Sequence, residues 1–189
     1  MHVIRKNLWF VLAIALLAGG CKKEEENPTP MDDNEAITTA ILTLSSQTTS
    51  VQTVTAVVEN LNTTADFSRA TLTLKAITTY TGVINLLDKT KTPTLDVSAE
   101  VKEEGDEHLF VYTFTPATGS SASMSVTATD KDSNPAPGPY PIGLATQVVT
   151  GAAGNGKLKV VLRHQPNAKN GTATPGTSDL DTDFNVTIQ

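Results

Sequence analysis

Residues 108–115, HLFVYTFT, decide the fold. His108, Phe110, Tyr112 and Phe114 share one phase of a period-two alternation; Leu109, Val111, Thr113 and Thr115 share the other. Successive side chains of a strand point to opposite faces, so the aromatic phase marks the face turned to a core. The same pattern recurs outward from this stretch. In 157–164, Leu158, Val160 and Leu162 face one way and Lys159 and Arg163 the other. At the C-terminus Leu180, Phe184, Val186 and Ile188 alternate with Asp181, Asp183, Asn185 and Thr187. Thirty threonines suit pleated, half-buried surfaces, because a β-branched side chain packs well there.

Further strands are predicted over 36–44, 51–58, 70–77, 79–87, 123–129 and 144–150, with a loop over 59–68. The spacing of turn residues predicts a hairpin from 144–150 and 157–164, joined by Gly151-Ala152-Ala153-Gly154-Asn155-Gly156. Four prolines make 130–143 an irregular surface loop. Only 96–104 reads as a helix: Asp96 or Ser98 can cap it, Val97 and Val101 share a face, and Gly105 can end it. The expectation is an all-β domain over 35–189. It is an Ig-like or Greek-key β-sandwich of about nine strands with at most one short helix.

The N-terminus has a different character. Arg5 and Lys6 precede an apolar run of eleven residues, Leu8 to Ala18, too short for a bilayer core that needs about 20. A basic start, a short apolar run and small residues before a cut make a secretory signal peptide. The sole cysteine, Cys21, follows Leu17-Ala18-Gly19-Gly20, which resembles the lipobox of bacterial lipoproteins. That resemblance implies a lipoprotein signal peptide over 1–20 and lipid attachment at Cys21, with a cleaved soluble form or a retained anchor as alternatives. Residues 21–34 contain only Met31 as an aliphatic residue and read as a solvated, lipidated tether. The acidic run in Cys21-Lys22-Lys23-Glu24-Glu25-Glu26 resembles the export signal of surface-exposed Bacteroidota lipoproteins. It implies the outer membrane, on the cell-surface side, with the periplasmic face as the alternative.

Charge narrows the function classes. The chain carries 14 cations and 20 anions. Removing Arg5 and Lys6 with the leader leaves 12 cations, a formal charge of −8. Such a surface disfavours nucleic acid and anionic lipid as partners. One cysteine cannot staple the fold with a disulfide.

Motifs for catalysis are weak. Gly151 to Lys157 matches G-x-x-x-x-G-K, but Leu158 follows where a Ser or Thr is needed, and the next residues alternate as a strand. Asp130-Lys131-Asp132-Ser133-Asn134 begins like a calcium loop, yet Pro135 and Pro141 stand where such a loop needs Gly and Glu, so a solvated turn is expected. No G-x-S-x-G or H-E-x-x-H is present, and the expectation is a protein that is not an enzyme.

The densest constellation is Glu100, Glu103, Glu104, Asp106, Glu107 and His108: five carboxylates in eight residues, then an imidazole. With His164 it supplies candidate donors for a divalent metal such as zinc: Glu103, Glu104, Asp106, Glu107, His108 and His164. Alternation sets both histidines on the core-facing side of their strands. If those strands are antiparallel neighbours, or face each other across the sandwich, the imidazoles share one mouth beside 103–107. The alternatives are a solvated acidic helix end and two separate histidines bonded to backbone.

The pieces NEAITT at 34–39, TTYTGVINLLDKT at 78–90, EEGDEHLFVYT at 103–113, LRHQP at 162–166 and the ending DFNVTIQ resemble a set of small Bacteroidota lipoproteins labelled "type 1 periplasmic binding fold superfamily". The label implies a two-lobed α/β sugar-binding architecture, whereas the alternation implies a sandwich. The resemblance marks EEGDEH and LRHQP as family motifs and so strengthens the metal or ligand reading. The expected function is a lipid-anchored cell-envelope binding module that captures a divalent metal or small solute beside an outer-membrane transporter. The alternative is a structural or protein-interaction surface lipoprotein without small ligand.

Overall fold

The computed structural model describes residues 36–189. The expected signal peptide and lipidated tether, with Cys21, lie outside the described residues. Two sheets and one short helix account for the regular structure of the described residues. In chain order the elements are β1 (Thr39–Ser46), β2 (Thr53–Glu59), β3 (Asp66–Arg69), β4 (Thr71–Leu74), β5 (Thr79–Asp88) and β6 (Leu95–Asp96). Then follow α1 (Val97–Glu103), β7 (His108–Pro116), β8 (Met124–Ala128), β9 (Ala145–Thr150), β10 (Gly154–His164) and β11 (Thr177–Ile188). One sheet runs β3-β2-β1-β5-β9-β8, with β6 also paired to β5; the other runs β4-β11-β10-β7. Every pairing is antiparallel except β4 with β11.

The expected all-β sandwich is the fold formed, and the two-lobed α/β architecture is not. Its core is the sum of the in-phase residues. Ala40, Leu42 and Leu44 of β1, with Tyr80, Ile84 and Leu86 of β5, are buried from one sheet. Leu158, Val160 and Leu162 of β10, with Leu180, Phe184, Val186 and Ile188 of β11, are buried from the other. Charged residues take the outer face of the smaller sheet, where Lys159 meets Asp181 and Lys157 meets Asp183.

Among the described residues eleven strands form where about nine were expected. The additions are β3, exposed throughout and therefore without alternation, and the two-residue β6. The helix is capped as predicted, with the Asp96 carboxylate accepting from the Ser98 N–H at 3.1 Å. Ser98 is no cap; it is buried and accepts from the Leu86 N–H of β5 at 2.6 Å. Gly105 does not end the helix through a left-handed conformation, since the helix closes at Glu104 with φ −93° and ψ 30°. Gly105 serves packing instead: a Cβ there would lie 2.6 Å from Ile142 Cδ1.

The predicted hairpin is overturned as well. Residues 144–150 and 157–164 are not a hairpin, because β9 pairs with β5 and β8 while β10 pairs with β11 and β7. The glycine-rich link carries the chain from one sheet to the other. Gly154–Gly156 already belong to β10, and Lys157 lies within that strand rather than before a helix.

Candidate functional site

β7 and β10 are antiparallel neighbours whose last paired residues are His108 and His164. Directly opposite side chains in such a pair have Cβ atoms about 4.5–5.5 Å apart. The two imidazoles therefore stack, with centroids 4.9 Å apart and planes 13° from parallel. Both residues are buried, on the core-facing phase that also holds Leu162 and Phe110. The expected shared mouth is thus formed, at the end of the smaller sheet.

Each imidazole has a carboxylate beside it. Glu107 Oε2 lies 3.5 Å from His164 Nε2, with about a third of the Glu107 side chain exposed. Asp179 Oδ2 lies 3.8 Å from His108 Nε2, with the Asp179 side chain 4% exposed. His108 Nδ1 lies 3.1 Å from the Glu104 carbonyl oxygen. A carbonyl oxygen only accepts, so Nδ1 carries the proton, and Nε2, 3.8 Å from Asp179, is the lone-pair nitrogen of the neutral ring.

Asp179 escaped the sequence reading for a physical reason. Strict alternation from Leu180 sends it outward with Asp181 and Asp183. A bulge intervenes: Leu162 pairs with Leu180 but Arg163 pairs with Ser178, so Asp179 is the extra residue. A bulge re-aims a side chain, and here it turns a carboxylate inward. Arg163 holds the outer side, donating to Ser178 Oγ at 2.6 Å and to the Pro175 carbonyl at 2.9 Å. Gly176, at φ +75°, lies so close that a Cβ on it would overlap the His164 carbonyl. No local signal separates this bulge from a regular strand.

Of the six predicted donors, Glu107, His108 and His164 meet. Glu103, Glu104 and Asp106 do not: among the described residues their carboxylates make no contact with either histidine. Glu103 and Asp106 are exposed, and Glu104 contributes its backbone carbonyl instead. The acidic run wraps a tight turn, which scatters its side chains. Among the described residues, no three His, Cys, Asp or Glu side chains stand as a ready-made set around one ion.

Burial shifts both inner groups toward neutrality. Desolvation lowers the His108 pKa below its ordinary value, outweighing the bond to Glu104 and the nearby carboxylates. Desolvation likewise raises the Asp179 carboxyl, opposed by His164, His108 and Arg163.

The calcium-like loop is occupied with its own structure. The Asp130 carboxylate accepts from the N–H groups of Gly143, Leu144 and Ala145. Asp132 accepts from Asn134 and Tyr140 and pairs with Lys169. A groove of about 570 Å³, lined by residues including Thr71, Thr115, Asn155, Lys157 and Asn185, opens at the other end of the smaller sheet, away from the histidines. Its lining has no aromatic platform and no cluster of titratable groups, so the histidine mouth is the stronger candidate. Compared with family models, with curated proteins and with solved structures, the chain matches none of them.

Proposed function

We propose that the chain is a lipid-anchored binding module of the bacterial cell envelope that captures a divalent metal such as zinc at the histidine mouth. It is held at the outer membrane through Cys21, on the cell-surface side, and serves a neighbouring transporter rather than catalysing a reaction. The anchor and address rest on the N-terminal sequence. What supports the metal is one observation: a buried carboxylate, Asp179, faces the lone-pair nitrogen of a buried imidazole across 3.8 Å. That gap is too long for a hydrogen bond. Yet two ligands each about 2.0–2.1 Å from a tetrahedral zinc stand roughly 3.4 Å apart, close to this spacing. The second gap, 3.5 Å between His164 and Glu107, has the same size. Zinc would draw the two pairs together, with Glu107 approaching from the partly exposed side.

A structural or protein-interaction protein without small ligand is the second reading, and the lack of a ready-made three-donor set favours it. Elemental analysis of the purified, tag-free domain separates the two. Stoichiometric zinc or another divalent metal supports the binding module; metal-free protein after exposure to metal supports the alternative.

A further inference from the structure

The turn 104–107, between α1 and β7, carries Glu107 and delivers His108. Each of its four carbonyl oxygens is bonded by a different group. Glu104 O accepts from His108 Nδ1 at 3.1 Å, and Gly105 O from Lys169 Nζ at 2.6 Å. Asp106 O accepts from Asn134 Nδ2 at 3.0 Å, and Glu107 O from the Gln165 N–H at 2.7 Å. Two of these four clamps meet in one ion pair. Lys169 Nζ lies 2.9 Å from Asp132 Oδ2, with the side chains 1% and 0% exposed. The same Asp132 oxygen accepts from Asn134 Nδ2 at 2.9 Å, and Tyr140 N–H donates to the other oxygen at 2.7 Å.

Burying both charges completely is an expensive way to gain stability, and an apolar pair of similar volume often serves as well. What the ionic pair supplies is direction. Lys169 arrives from the loop after β10, and Asp132 and Asn134 from the proline-rich loop after β8. The ammonium divides its donors between Asp132 and Gly105 O, and the carboxylate orients both Lys169 and Asn134 onto the turn. Burial alone would raise the Asp132 pKa, but the bonds from Lys169, Asn134 and Tyr140 outweigh it and keep the group ionised.

We infer that Asp132 and Lys169 are a positioning pair for the histidine mouth, fixing the turn 104–107 and through it the Glu107 carboxylate and the His108 ring. The inference rests on the reading of that mouth as a metal site. Groups hydrogen-bonded directly to a ligand typically change metal affinity by about 10–100-fold when removed; Asp132 and Lys169 act one step further out, through the turn's backbone, and so at the lower end of that range.

The test is the double variant Asp132→Asn with Lys169→Met, which removes both charges together and strands neither. Circular dichroism and a cooperative melt report folding. Calorimetric titration with zinc reports affinity, and long-range proton–nitrogen NMR of the metal-free protein reports which nitrogen of His108 carries the proton. The expected result is a folded domain whose zinc affinity falls about 10-fold. His108 should lose its single Nδ1–H form and become a mixture of tautomers. A change in either readout supports positioning. A folded variant with wild-type affinity and an unchanged His108 tautomer overturns it. If the wild type takes up no zinc, the metal reading fails by itself and the tautomer decides the positioning. Should the double variant not fold, Lys169→Arg keeps the charge but displaces the donor from Gly105 O, and the same two readouts decide.

Discussion

His108 and His164 stand directly opposite on antiparallel strands with their rings stacked at 4.9 Å. Two positive charges at that distance repel by about 3 kcal/mol at an effective dielectric of 20. Burial opposes charge on His108, and repulsion from a charged His164 beside it adds to that effect. The unfolded chain has neither restraint, so it takes up the His108 proton at a higher pH than the folded state does. The stability tied to His108 is complete above its ordinary value of 6.5 and is lost as pH falls below it. Thermal melts between pH 5 and 7.5 should show wild type losing stability relative to His108→Asn on acidification. A constant difference between the two would contradict this.

Asp179 has the opposite sign. Its folded pKa is raised above the ordinary 3.8, so its stability is complete below that value and is lost as pH rises through the folded value. Asp179→Asn should therefore raise the melting temperature of the metal-free domain at pH 7 while weakening zinc binding. A variant less stable than wild type without metal would show that the carboxylate is structural.

Tyr80 shows what the core demands of a polar atom. Its ring is fully buried, and its hydroxyl donates to Gln52 Oε1 and accepts from the Lys75 N–H, both at 2.8 Å. Tyr80→Phe leaves two partners unsatisfied at a cost of about 1–3 kcal/mol. For a domain of this size the melting temperature should fall by roughly 2–12 °C. An unchanged melt would mean that water replaces the hydroxyl.

Cys21→Ala should leave the domain folded and release it from membranes. Nothing in the core uses a thiol, and stable anchoring depends on acyl chains that contribute about 0.8 kcal/mol per buried methylene. Cell fractionation reads the result, and a variant that still sediments with membranes would place the anchor elsewhere.

The sandwich was legible because the inward residues of most strands, such as Leu42 with Leu44 and Val186 with Ile188, keep period-two phase, and phase is a local property. So was the shared mouth, since His108 and His164 continue the phases of Phe110 and Leu162. The partner of each strand was not legible. Val148 in β9 and Leu158 in β10 alternate alike whether their strands pair with each other or lie in opposite sheets, so the glycine link read as a hairpin turn. Asp179 was hidden because a bulge breaks the phase by one residue without changing the sequence pattern. Lys169 and Asp132 were hidden because long loops bring them together, and loops carry no period.

Zinc titration of the metal-free domain, wild type against His108→Ala, tests the central claim most directly. The account predicts one bound zinc per wild-type chain and affinity lost in the variant, with both proteins folded. Equal affinity in the two would end the metal reading of the histidine mouth.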